Sequence, residues 1–108
     1  MSTSKFDTSG IFQPLKIHNP LTRLSLPANS LRVCKSGIEF RTPDPIDPWT
    51  EMTVDLFSNL DMKKVHCTGV VVACKGNRHT GYTVSLLFLS LSRQAQERLD
   101  LLAFSQQL

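Results

Sequence analysis

Two histidines and two cysteines that lie close together in the chain are residue types that bind zinc. His66 and Cys67 are adjacent, Cys74 follows after six further residues, and His79 follows after another four. This spacing is unlike the common zinc-binding patterns. Neighbouring residues of a strand point to opposite faces, so the side chains of His66 and Cys67 are expected to diverge. The sequence therefore predicts no metal site.

Other residues could in principle carry out catalysis. Cys34 is a possible nucleophile and His18 a possible base, but no oxyanion-hole signature accompanies them. Asp44 and Asp47 form a carboxylate pair, but they lie in the proline-rich stretch TPDPIDPW, where such residues are typical turn formers. We therefore predict no catalytic residue and no enzymatic activity.

The basic residues are spread along the chain rather than gathered in one run. Twelve Lys and Arg stand against nine Asp and Glu, which gives a net charge of +3, and only Lys63 and Lys64 are adjacent. Nucleic-acid-binding domains usually concentrate their positive charge, so nucleic-acid binding is disfavoured. The 108 residues, 41% of them apolar, suit one domain with a single hydrophobic core.

The cysteines indicate a reducing compartment. Cys34, Cys67 and Cys74 are odd in number and form no C-x-x-C motif, whereas small secreted domains usually carry a denser, even set. Free thiols and a cytoplasmic location are expected. No apolar run approaches the roughly 20 residues that cross a bilayer, so no membrane insertion is predicted. The first ten residues lack the apolar centre of a secretory signal.

Alternating apolar residues predict short strands, and a final segment predicts a helix. Gly69 interrupts the longest strand pattern and indicates a bend or bulge, while Cys67 and Cys74, seven residues apart, are expected on opposite faces of that strand. Ile46 and Trp49 of the proline-rich stretch are expected to anchor it to the core. Strands are predicted near residues 21–26, 30–33, 38–40, 52–57, 65–74 and 82–89.

The last predicted strand is apolar on both faces, so its outer face needs a cover. Leu91, Ala95, Leu99 and Leu102 lie on one face of the predicted helix, with Ser90 or Ser92 as its N-cap. We expect this helix to supply the cover. The fold predicted is mainly β, a small six-stranded antiparallel β-barrel with a C-terminal helix packed on it. Residues 16–108 form this domain, and residues 1–15 form a flexible N-terminal arm.

The order of these elements resembles the PilZ domain, a small bacterial split barrel best known as a receptor of cyclic di-GMP. The resemblance covers the chain from about Leu21 to Phe104. It implies a non-enzymatic signalling module without a cofactor, which acts through cyclic di-GMP or, in the members that do not bind it, through protein contacts. The matching strings are CKSGIEF at 34–40, EMTVDLF at 51–57, HCTGVVVAC at 66–74, HTGYTVSLLFLSLS at 79–92 and AQERLDLL at 95–102.

The ligand motifs of that family are altered here. Its receptors carry an R-x-x-x-R pair, which grips the dinucleotide, and a [D/N]-x-S-x-x-G motif, whose glycine leaves space for the ligand. In the hexapeptide that ends at Gly37, Arg32 stands at the Asp/Asn position and Cys34 at the Ser position, and no two arginines upstream lie four apart. Each lost charge-assisted contact costs about 1.5–3 kcal/mol. Cyclic di-GMP binding is therefore possible but disfavoured.

Three hypotheses follow. The first is an adaptor that acts through a protein partner, with an acidic partner contacting Arg32, Lys35 and Arg41. The second is a cyclic di-GMP receptor with a divergent site, and the third is a nucleic-acid-binding barrel. A homodimer is also possible. The candidate ligand-binding residues are Arg23, Arg32, Cys34, Lys35, Ser36, Gly37 and Arg41.

Overall fold

The computed structural model describes residues 11–106, which form one curled antiparallel sheet of seven strands and a final helix. The mainly β half-barrel with a C-terminal helix is as predicted, with one strand more than expected. Along the sheet the strand order is β2-β1-β5-β6-β7-β4-β3. The elements are β1 (Leu15–His18), β2 (Arg23–Leu26), β3 (Arg32–Val33), β4 (Gly37–Thr42), β5 (Glu51–Ser58), β6 (Lys63–Asn77), β7 (Gly81–Ser90) and α1 (Arg93–Gln106).

Strand β1 is the one that the sequence pattern did not predict. Its two inward residues, Leu15 and Ile17, are fully buried, and it pairs with both β2 and β5. Two apolar residues are too short an alternation to be recognised as a strand. The N-terminal arm was expected over residues 1–15, of which 1–10 lie outside the described residues. Ile11 and Phe12 are buried in the core, so the packed part of the chain already includes them.

Two irregularities in the β6–β7 pairing affect which side chains face the core. The register shifts at Gly69, where the sequence predicts a bend or bulge, through one extra residue of β7, and shifts again between Val71 and Ala73 of β6. The second shift inserts one extra residue and reverses the alternation beyond it. Cys74 therefore pairs with Val84 and packs against the same core as Cys67. The expectation that the two cysteines take opposite faces was wrong.

Helix α1 begins where the sequence predicted but covers a different surface. The Ser92 hydroxyl accepts a hydrogen bond from the Ala95 N–H at 3.0 Å, which confirms an N-cap. The buried helix face includes Leu102 and packs against β3, β5 and β6. It leaves the outer face of β7 uncovered, because Leu87 and Leu89 are 41% and 54% exposed. The predicted cover of that strand is therefore absent from the described residues.

A buried arginine joins α1 to the β5–β6 hairpin. Arg98 is 8% exposed, and its guanidinium donates two hydrogen bonds to the Asp61 carboxylate, at 3.0 and 2.9 Å. The hydrogen bonds from Arg98 hold the pKa of Asp61 below its usual 3.8. This pair fixes the helix against the hairpin, and nothing in the local sequence pattern predicted it.

The connection between β4 and β5 has one buried anchor instead of two. Ile46 is buried as predicted, but Trp49 is 76% exposed, so its assignment to the core was wrong. Trp49 has a positive φ of 72°, and its N–H donates to the Val71 carbonyl at 2.6 Å. The backbone at this residue makes the attachment, and the indole ring remains in solvent.

Candidate functional site

The tight turn between β3 and β4 carries four of the predicted site residues. The Cys34 N–H donates to the Gly37 carbonyl at 2.8 Å, and the Phe88 N–H donates to the Ser36 carbonyl at 2.9 Å. Cys34, Lys35 and Ser36 are exposed, whereas Gly37 is buried against β7. The turn is thus fixed by backbone hydrogen bonds, and its three exposed side chains are available for contacts.

Two hollows border this turn, and the one on the outer sheet face is largely apolar. One, of about 270 Å³, lies between the turn and α1, where Phe88 and Leu99 contribute to its wall. The other, of about 320 Å³, lies on the outer sheet face, where Val72 and Leu87 contribute to its wall. Within residues 11–106, Lys35 is the one basic residue that lines either hollow. Neither hollow is therefore a basic groove, since the first contains Asp100 as well as Lys35 and the second is an apolar surface with Lys35 at its border.

Arg32 and Arg41 lie beside the turn in a separate hollow of about 340 Å³. Arg32 is opposite Glu39 in the β3–β4 register. The guanidinium of Arg41 donates to the Thr83 hydroxyl at 3.1 Å and to the Thr80 carbonyl. These two bonds attach Arg41 to β7 and the β6–β7 hairpin, and they occupy two of the five N–H donors of its guanidinium.

Arg23, the remaining predicted residue, lies on β2, at the opposite edge of the sheet from β3. It lines a fourth hollow, of about 480 Å³, together with Lys16, His18, Ser25 and Asp55. Of the seven predicted residues, the structure thus brings four together on the turn, places two in a neighbouring hollow, and separates Arg23 from all the others.

Sequence reasoning missed a cluster of two histidines around one carboxylate. The Nε2 of His18 lies 3.1 Å from Oδ2 of Asp55, and the Nδ1 of His66 lies 2.5 Å from Oδ1. Burial raises the pKa of Asp55, but hydrogen bonds and charge from the two histidines outweigh it, so the pKa lies below the usual 3.8. A charged carboxylate only accepts, so both facing ring nitrogens are donors. The cluster joins β1, β5 and β6 across the outer face.

The buried thiol of Cys67 is a poor nucleophile. Burial, reinforced by the charge of Asp55, raises the pKa of Cys67 to about 12, so the thiol stays protonated near neutral pH. Between residues 11 and 106, no group of three or more His, Cys, Asp or Glu side chains is arranged to hold a metal ion. Over the same residues, no helix combines the length and the apolar character needed to span a membrane.

A comparison with protein-family models matches residues 21–105 to the family described as "PilZ domain". The matched segment begins just before β2 and ends within the last turn of α1. It thus contains both the altered turn and the helix that packs beside it. Comparisons with curated proteins and with solved structures gave no match.

Proposed function

We infer the function from the premise that this chain belongs to the PilZ domain family, a family of cyclic di-GMP-binding and signalling adaptor modules. We propose that the chain is a non-enzymatic adaptor in the cytoplasm. It acts by binding a protein partner and has little or no affinity for cyclic di-GMP.

The placement of the cations argues against a dinucleotide site. Cyclic di-GMP carries two phosphate charges, which need cations held in place before binding. Lys35 is the basic residue on the turn itself, Arg41 is bonded to the β6–β7 hairpin, and Arg23 lies at the other edge of the sheet. Several missing contacts of about 1.5–3 kcal/mol each would weaken binding by orders of magnitude.

The observation that carries the adaptor proposal is an exposed apolar surface beside the turn. We call it the β6–β7 apolar face, and it consists of Val72, Leu87 and Leu89, which are 40%, 41% and 54% exposed. Val72 lies with Leu87 in the hollow that Lys35 borders, and Leu89 lies two residues further along β7, at a register shift. Contiguous apolar surface on a monomer commonly marks a binding site. An apolar partner segment with flanking carboxylates fits this surface, since Lys35 supplies a cation at its border.

Calorimetric titration of the full chain with cyclic di-GMP tests the first half of the proposal. We expect no saturable binding in the micromolar range, since the charged contacts described above are missing. Binding with a micromolar Kd, about 8 kcal/mol of affinity, would contradict the proposal and favour the divergent receptor instead.

Partner capture tests the second half. We expect the full chain, used as bait in extract from its own cells, to retain a protein partner that Leu87→Asp releases, because the aspartate places a charge in the apolar contact and repels the partner's carboxylates. Leu60→Asp is the matched control, since Leu60 is 67% exposed on the β5–β6 hairpin, outside the apolar face. Circular dichroism verifies that both variants fold. Equal capture by both variants would contradict this role, as would a self-dimer in solution that only Leu87→Asp dissociates.

A further inference from the structure

The hollow at the β1–β2 edge is unused by the proposed adaptor surface, and we call it the basic cavity. It is lined by Lys16, His18, Arg23, Leu24, Ser25 and Asp55, and its volume of about 480 Å³ is within the range of small-molecule sites, roughly 300–1,000 Å³. Strand register produces it, because Lys16 lies opposite both Ser25 and Asp55, and His18 lies opposite Arg23. Its polar side chains occupy the outer sheet face, since the inward positions of β1 are apolar.

The permanent cations of this cavity lack a carboxylate partner among the described residues. Lys16 and Asp55 are opposite each other in the register, yet the Lys16 ammonium donates to the Ser25 hydroxyl at 3.0 Å. The two Asp55 oxygens are taken by His18 and His66. Arg23 forms no ion pair in residues 11–106. Two full positive charges therefore face the cavity, and its one carboxylate is already engaged.

The donors around the cavity match a tetrahedral oxyanion. The Arg23 guanidinium presents a planar fork, the Lys16 ammonium has two protons left beside the one donated to Ser25, and the Ser25 hydroxyl adds a further donor. The lining has two permanent cations and one charged carboxylate, Asp55, so its net charge is positive and attracts the anionic group of a phosphate monoester. The volume leaves room for a small organic group beside the phosphate.

We propose that the basic cavity binds a small phosphate monoester, held by Lys16, Arg23 and Ser25. This site is separate from the β3–β4 turn and independent of the adaptor surface. The cavity and the β6–β7 apolar face involve different residues on different strands, so either proposal can fail while the other stands.

Nuclear magnetic resonance titration of the full chain tests the site. The probes are glucose 6-phosphate, inorganic phosphate and, as the uncharged control, glucose. We expect saturable shifts of the Lys16 and Arg23 amides with glucose 6-phosphate and none with glucose. A weaker response to inorganic phosphate identifies the organic group as part of the ligand, and an equal response identifies the free anion; both support an oxyanion site.

Two variants separate site binding from general charge effects. Arg23→Gln is expected to weaken binding of glucose 6-phosphate about ten- to a hundred-fold, because it removes a charge-assisted contact. Lys75→Gln removes the same charge from an exposed position at the far end of β6 and should leave binding unchanged. Unsaturable shifts, or equal loss in both variants, would overturn the proposal.

Discussion

Replacing Gly37 with alanine is expected to lower the free energy of unfolding by about 3 kcal/mol, because a side chain at this position has no space. A Cβ atom would lie 1.9 Å from the Leu86 carbonyl oxygen and 3.2 Å from the Leu87 Cα. These atoms belong to the backbone of β7, so no change of rotamer relieves the overlap. The strands β4 and β7 would have to separate at the residue where their pairing begins.

Ser36→Ala is the matched control for this measurement by urea denaturation. Ser36 is exposed, and its backbone carbonyl, which the alanine keeps, makes the hydrogen bond to Phe88. The free energy of unfolding of the Ser36→Ala variant should differ from that of the unsubstituted protein by no more than about 0.5 kcal/mol. If Gly37→Ala proved as stable as this control, the close approach of β4 and β7 would not be needed. The packing role also means that a glycine here is required even without a ligand, so its presence in the motif does not indicate cyclic di-GMP binding.

Strands β5, β6 and β7 could be predicted because each alternates over many residues between core and surface. A strand of eight or more residues repeats the two-residue alternation several times, and this alternation indicates which side chains are buried. Strand β1 gives only Leu15 and Ile17, and a pattern of two residues does not differ from chance. Its burial depends on pairing with β5, which is distant in the sequence.

Side-chain direction was harder to predict than strand position. The extra residue at Val72 reverses the alternation in the second half of β6, so Cys74 faces the core instead of leaving it. A one-residue insertion of this kind leaves no mark in apolar spacing. The exposure of Trp49 also depends on local backbone geometry. This residue has a left-handed conformation, and its N–H is bonded to Val71 of β6, features that apolar spacing does not reveal.

The turn residues could be identified because they are consecutive in the chain, whereas the basic cavity could not. His18 and His66 meet at Asp55 from positions 37 and 11 residues away, on three different strands. Only the register of β1, β5 and β6 brings them together. For the same reason, the distance between Arg23 and the turn could not be predicted. Arg23 and Arg32 are close in the sequence, but the sequence does not show that β2 and β3 lie at opposite edges of the sheet.

Replacing Leu102 with alanine is expected to lower the free energy of unfolding by about 2–5 kcal/mol, because it leaves a cavity where α1 closes the core. Leu102 is completely buried. The end of the same helix holds β3, because the Gln106 side chain donates to the Leu31 carbonyl at 2.7 Å and accepts from the Val33 N–H at 3.2 Å. Loss of helix packing should therefore loosen the strand that leads into the β3–β4 turn.

Phe104→Ala provides the control on the same helix, since Phe104 is 60% exposed and its truncation should change the free energy of unfolding by about 0.5 kcal/mol or less. Amide exchange at Val33 gives the second measurement. If α1 positions the turn, this amide should exchange faster in Leu102→Ala than in Phe104→Ala under native conditions. A destabilised Leu102→Ala protein with unchanged protection at Val33 would show that β3 is held by its pairing with β4 alone. The helix would then stabilise the core without positioning the β3–β4 turn.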